Sequence, residues 1–307
     1  MNPIWLMVLL AALIIILGYW WSQPQNMLRL EFWRQRRRAR ARVHRLATPD
    51  GEVVYLKAGR GDTTPVLYVH GFTGMKENWL PLMAGMERSR PQYALDLPGW
   101  GESERRNELD YGYAAQAERV AHFIDAVIGT PVDLIGHSMG GGIAAVLAAR
   151  HPDKVHRLVL MDAAGVRFAD NAFGKAILDG ENPFGVADIA ALKRYLALVF
   201  QHPPWLPHRL ERWMVHRRIA DADFEQAVLH SIGRGPEAFL PEQEAARIRA
   251  PTLLVWCRED RVIDASAAEI YANHIPGSRT VLLDGTSHMP MMESTAATVA
   301  ILEEFLP

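Results

Sequence analysis

No charged residue occurs between Met1 and Leu28, and the stretch from Ile4 to Trp21, IWLMVLLAALIIILGYWW, is apolar apart from one glycine and one tyrosine. Wound as a helix at about 1.5 Å per residue, this run and its flanks reach roughly 30 Å, the thickness of a bilayer core. Trp5 stands at one end and Tyr19, Trp20 and Trp21 at the other, where aromatic side chains meet a membrane interface. A cleaved secretory signal would need basic residues ahead of the run and small residues at a cleavage site. No Lys or Arg precedes it, and YWWSQPQ offers no such site. A buried core helix is seldom so long and so uniform. The pattern predicts one transmembrane anchor over residues 1–28.

Further along, the period of the pattern alternates. GEVVYLKAG and PVLYVHG read as strands, and QYALDLPG follows. From Ala114 to Ile128 the apolar positions Ala117, Val120, Ala121, Ile124 and Ile128 fall at helical spacing, widened by Phe123 and Val127. VDLIGHS is a short buried strand, GGGIAAVLAARH a helix of small residues, and HRLVLMDAAG another strand. Such alternation predicts an α/β fold, with a mostly parallel central sheet and helices on both faces. Over residues 166–247 the rhythm stops. Helix formers, aromatics (Phe184, Tyr195, Phe200, Trp205, Trp213, Phe239) and prolines at 203, 204, 207 and 241 take over. It resumes with TLLVWC, a helix over Ala265–Ala272, TVLLDG and a last helix from Thr295 to Leu306. The expected organisation is therefore a core of residues 46–165 and 248–307 interrupted by a helical cap at 166–247.

Charge adds a feature that hydropathy does not show. The chain of 307 residues has a net charge of −2, yet residues 29–45 carry eight arginines against one acid, Glu31. The rest holds 25 basic and 34 acidic residues. A body this acidic argues against a nucleic-acid partner, which would need a basic domain face. Leu28, Leu30, Phe32 and Trp33 give the basic stretch an apolar side, so residues 29–45 are expected to form a juxtamembrane helix on anionic lipid headgroups. Arginines follow the span and none precedes it, which favours a single-pass protein with its body in the cytoplasm; a periplasmic or extracytoplasmic placement is the alternative. Ala11, Ala12 and Gly18 offer a weak small-residue face for a homodimer, without G-x-x-x-G spacing. The single cysteine, Cys257, rules out an intrachain disulfide and a paired-cysteine metal site.

The chemistry centres on Gly136-His137-Ser138-Met139-Gly140, a G-x-S-x-G sequence between an expected strand and an expected helix. A serine on so sharp a turn is lifted to the carboxyl edge of the sheet, and the flanking glycines remove side chains that would clash there. The backbone N–H of Met139, at a helix start, then faces a developing oxyanion. Ser138 needs a base, and the base an orienting acid, in that chain order reversed: acid, then histidine. WCREDRVID supplies Asp260, ahead of Asp264 and Glu259; Asp162, ending HRLVLMD, is the structural alternative. DGTSHMPMMES supplies His288. His137 is expected to point into packing, His70 to head a turn, and His202, His208, His216 and His230 to lie in the cap. The turn HGFTG at 70–74 offers the N–H of Phe72 as the second oxyanion donor.

HGF at 70–72, DLPGWGES at 96–103, GHSMGG at 136–141, APTLLVWCREDRVID at 250–264 and SHMPMMES at 287–294 together resemble the α/β-hydrolase superfamily. With the anchor included, the chain is similar to membrane-anchored lipolytic serine hydrolases: monoacylglycerol lipases and bacterial membrane-bound lipases and phospholipases A. The resemblance implies Ser138, Asp260 and His288 as triad, Phe72 and Met139 as oxyanion hole, a cap that shapes an acyl pocket, and no cofactor. Two positions depart from it: Ser287 stands where a glycine is usual before the histidine, and Cys257 where one is usual after the strand tryptophan. A serine nucleophile excludes the aspartate-based dehalogenases and epoxide hydrolases of that fold. It leaves carbon–carbon hydrolases, perhydrolases and soluble carboxylesterases as alternatives, and a receptor or scaffold as the non-catalytic one. The anchor selects among them, because a lipid ester is concentrated at a bilayer and a soluble substrate is not.

Overall fold

A computed structural model describes residues 3–306. Its centre is one sheet of eight strands: β1 (Arg42–Thr48), β2 (Gly51–Ala58), β3 (Val66–Val69), β4 (Gln92–Leu95), β5 (Val132–His137), β6 (Val155–Met161), β7 (Thr252–Cys257) and β8 (Arg279–Leu283). The spatial order is β1-β2-β4-β3-β5-β6-β7-β8. β1 and β2 pair antiparallel, as do β2 and β4, and every later neighbour pair is parallel.

The strands are apolar in succession because the sheet is covered on both sides. Leu67, Leu134, Leu160 and Trp256 point into one core, while Tyr68, Ile135, Val159 and Val255 point into the other. Among the described residues there are twelve α-helices: α1 (Pro3–Ser22), α2 (Pro24–Ala39), α3 (Leu80–Gly85), α4 (Tyr113–Phe123), α5 (Met139–Arg150), α6 (Ala172–Asp179), α7 (Ile189–Val199), α8 (His208–Gly233), α9 (Leu240–Glu244), α10 (Ser266–His274), α11 (Pro290–Glu293) and α12 (Thr295–Phe305). α4, α5 and α10 cover the first face, and α3 and α12 the second. Helices α6 to α9 all fall between β6 and β7, and no strand interrupts them. The helix expected over Ala114–Ile128 is α4, ending in a π-helical turn at Ile124–Ile128.

α1 has the length and composition to cross a membrane, and its described side chains from Ile4 on are exposed. One expectation fails beyond it. The basic segment is not helical through Arg45: α2 stops at Ala39, Arg40 turns left-handed at φ 52°, and Arg42 begins β1. The physical reason is burial of Ala39 and Ala41 in the core, together with the Pro49-Asp50-Gly51 turn. That turn folds β1 back on β2, setting Thr48 opposite Gly51 and Arg42 opposite Lys57. α2 is also fastened to the body. It packs on α3 and touches α8, and Arg36 lies 4.0 Å from the buried Glu77. Arg29, Arg34, Arg37 and Arg38 face outward, with Trp33 under the Arg37 guanidinium.

Candidate active site

β5 delivers Ser138 to the carboxyl edge of the sheet, where it forms the N-cap of α5 at φ 53°, ψ −122°. A non-glycine residue is held in such a region only when its surroundings fix it, at a cost of order 1–3 kcal/mol. Here the fixing is by backbone: Ser138 N–H donates to Met161 O at 3.0 Å, and Ser138 O accepts from Gly141, Gly142 and Ala164. At Gly140 a β-carbon would sit 2.3 Å from Val69 O, so only glycine lets α5 start this close to β3. The Ser138 hydroxyl donates no hydrogen bond among the described residues and borders a cavity.

The loops after β7 and β8 carry the acid and the base. His288 Nδ1 lies 2.7 Å from Asp260 Oδ2, with both side chains buried. Asp260 Oδ1 accepts from the N–H groups of Val262 and Ile263 at 2.7 and 3.1 Å, so the carboxylate cannot rotate away. Asp162 does not reach the histidine. Its carboxyl accepts from Cys257 N–H at 2.8 Å and faces Cys257 Sγ at 3.3 Å. Burial, and then the neighbouring Asp260 carboxylate, push its pKa well above the usual carboxylate range. Asp162 is thus a buried prop behind the acid, and Cys257 at the departed glycine position is part of that prop. At the other departure, Ser287 donates to Glu259 O at 3.1 Å.

Two histidines that sequence reasoning put aside support this arrangement. His137 Nε2 lies 2.6 Å from His288 O, and a carbonyl can only accept, so Nε2 carries the proton. Burial, with His288 close by, holds the His137 pKa well below its ordinary value and keeps the ring neutral. The residue before Ser138 thereby grips the backbone of His288, and their rings are 4.7 Å apart. His70 accepts from Leu97 N–H at Nε2 (3.0 Å), which leaves Nδ1–H to donate to Gly71 O at 2.8 Å. Burial lowers its pKa as well.

The loop that follows brings Phe72 to the cavity wall beside Met139. Among the described residues neither backbone N–H has a protein acceptor. Gly71 makes the approach possible, since a β-carbon there would lie 2.8 Å from Ser138 Cβ. Beneath the loop is an ion cluster that the sequence did not announce. Lys76 Nζ contacts Asp96 and Glu102 at 2.7 Å and Glu77 at 3.2 Å, and Asp96 also accepts from the Lys76 and Glu102 N–H groups. Burial alone would lower the Lys76 pKa, but the surrounding acids outweigh it and raise it. DLPGWGES is therefore a clamp under the HGFTG turn. Thr73 Oγ1 meets Tyr195 OH at 3.1 Å, joining that turn to the cap.

Between the core and the cap lies a cavity of about 410 Å³. Ser138 and Met139 form its floor; Phe72, Phe173, Phe184, Ile177, Leu229 and Ile263 are among its mostly apolar walls. Phe184 packs against Phe72 and Phe173 in tilted pairs, with ring centroids 5.3 and 4.8 Å apart. Such a site takes an apolar group and presents its polar end to the serine.

The profile of the alpha/beta hydrolase family matches residues 66–301. The chain is similar to a monoacylglycerol lipase of Bos taurus, 26% identical over 294 residues, which span 92% of this chain and 87% of the relative. It is similar to Lipase 1 of Psychrobacter immobilis, 29% identical over 262 residues, 82% of this chain and 80% of that one. Among solved structures, a bacterial membrane phospholipase A described as a virulence factor superposes with a TM-score of 0.89 at 33% identity, covering 99% of this chain and 98% of its own.

Proposed function

Because the chain belongs to the alpha/beta hydrolase family, we propose that Ser138, His288 and Asp260 act in it as nucleophile, base and orienting acid. The protein is a membrane-associated lipolytic ester hydrolase, as its lipase and phospholipase relatives are. The substrate is an acyl ester of a membrane-derived lipid: a monoacylglycerol, lysophospholipid or phospholipid. Ser138 Oγ attacks the ester carbonyl carbon while His288 Nε2 takes the hydroxyl proton. The tetrahedral oxyanion sits between the N–H groups of Phe72 and Met139. Collapse breaks the ester C–O bond, and His288 returns the proton to the leaving alcohol. Water, deprotonated by His288, then releases the fatty acid from Ser138.

The observation that carries this reading is a strained serine on the floor of an apolar cavity whose wall includes Val262 and Ile263, the residues whose N–H groups hold Asp260, itself 2.7 Å from His288 Nδ1. The four cap helices form the lid of the acyl pocket. The outward arginines of α2, directly after the span, support a catalytic domain on the cytoplasmic face with α2 against anionic headgroups. Arg36 turns inward to Glu77 and belongs to the attachment of α2, not to the lipid contact.

The test is direct. Wild type should hydrolyse p-nitrophenyl butyrate and monoacylglycerol and react with a fluorophosphonate probe, and Ser138→Ala should do none of these. Equal ester hydrolysis by Ser138→Ala would refute the assignment.

A further inference from the structure

The cap carries a second basic segment. From Lys193 to Arg218 six Lys or Arg residues stand against one acid, Glu211, and three histidines lie among them. Outside this segment and residues 29–45 the chain holds 19 basic and 33 acidic residues, so these two segments carry a net positive charge on an otherwise acidic chain. The fold brings these two places together. α2 touches α8. Arg217 reaches Gly101 O at 3.4 Å, next to Glu102, whose pKa is lowered first by the Lys76 hydrogen bond and in smaller part by Arg45 and Arg36 of the first basic segment.

The surface that results has two components. Arg209, Arg212, His216 and Ile219 are exposed at helical spacing along α8, a single stripe, and Arg217 beside it lies 5.7 Å over the Trp213 ring. Glu211 is turned to Lys193 and His208, so it does not offset the arginines. At the tip, in the proline-rich loop that leads into α8, Trp205 is 84% exposed. Among the described residues no large hydrophobic is more exposed, not even in α1, whose highest value is 71% at Met7. An exposed tryptophan at the edge of an arginine stripe matches what a headgroup region receives: an amphipathic ring at the interface and cations on the phosphates.

We propose that the α7–α8 edge of the cap, with Trp205 at its tip and Arg209, Arg212 and Arg217 along α8, is a second membrane-contact surface that seats on anionic lipid. It is continuous with the α2 attachment and rests on the reading of α1 as the membrane anchor. The loop bearing Trp205 begins at Gln201 and His202, whose N–H groups both donate to Glu293, and Glu293 also accepts from Ser287 N–H beside His288. Seating of this edge therefore fixes the cap at a point fastened to the catalytic loop.

The buried Cys257 makes the test clean, because a thiol reagent has no other cysteine to find. Full-length Trp205→Cys carries a spin label in nanodiscs of phosphatidylcholine alone or of phosphatidylcholine and phosphatidylglycerol in equal parts. A label at Asp153→Cys, in the loop between α5 and β6 at the opposite edge of the sheet, is the reference. In the anionic discs the label at 205 should be shielded from a water-soluble relaxant and open to oxygen, and the reference should not. The triple variant Arg209→Gln, Arg212→Gln, Arg217→Gln should abolish that shielding. Each arginine near an anionic surface shifts such a docking equilibrium by a factor of about five. Lipid turnover in anionic discs should fall in the triple variant while its rate on dissolved p-nitrophenyl butyrate stays at the wild-type value. Water exposure at 205 equal to that at 153 in anionic discs would overturn the proposal, as would an equal loss of both activities in the triple variant. If the label is shielded but no disc-borne ester is cleaved, the contact surface stands and the lipid-ester reading falls.

Discussion

Gly71→Ala probes the oxyanion loop with the smallest perturbation available, one methyl group. Its β-carbon would lie 2.8 Å from Ser138 Cβ, 2.9 Å from His137 Nδ1 and 3.2 Å from His137 O. Carbon atoms rest at about 3.5 Å or more, so the loop must retreat from the nucleophile by about 0.7 Å. His137 and Ser138 cannot yield in its place, because the first is bonded to His288 O and the second is held by four backbone hydrogen bonds. A Phe72 N–H set about 3 Å from an oxyanion would move to about 3.7 Å, beyond hydrogen-bond range. Loss of one such donor costs about 10²–10³ in kcat. The acyl cavity is not narrowed, so KM for p-nitrophenyl butyrate should change little. The assay is steady-state kinetics of the purified full-length protein, with urea unfolding to show that the variant is folded. A folded variant with kcat within a few-fold of wild type would refute the placement of Phe72 N–H in the oxyanion hole.

Asp260→Asn should retain the Val262 and Ile263 contacts and present an amide N–H toward His288 Nδ1. The imidazole must then carry its proton on Nε2, where it cannot act as base, and kcat should fall by about 10³–10⁴ with fluorophosphonate labelling slowed in parallel. Lys76→Met leaves Asp96 and Glu77 buried without their cation, and should destabilise the fold by about 3–5 kcal/mol in urea unfolding. His137 gives a pH signature. Its folded pKa lies well below the unfolded value of 6.5, so below that pH the unfolded chain binds a proton that the folded chain refuses. Its contribution is intact above pH 6.5 and is lost on acidification. Between pH 6.5 and one unit lower, wild type should lose about 1 kcal/mol more stability than His137→Asn, measured by urea unfolding. Equal losses would show that His137 titrates freely.

Much of this protein is decided by local pattern. The period of apolar residues marked the buried strands of a two-sided sheet, because strands covered on both faces must be apolar in succession. G-x-S-x-G marked Ser138, because a strained turn between strand and helix tolerates few other residues. Chain order then selected Asp260 and His288, and uniform hydropathy set α1 apart. Tertiary structure decided what depends on residues far apart in sequence. Arg42–Arg45 left the basic helix because burial of Ala39 and Ala41 and pairing with β2 outweigh the continuity of charge. Asp260 takes the histidine and Asp162 turns to Cys257 behind it, a distinction between two strand-end acids that only distance and burial can make. His137, read as packing, holds the backbone of His288, 151 residues away. Lys76, Asp96 and Glu102 look like surface charges in one dimension and form a clamp in three. The sequence contains both basic segments, but only the packing of α2 against α8 makes them one surface. Periodicity reports the environment of an element, whereas the pairing of buried polar groups depends on which loops the closed sheet brings together.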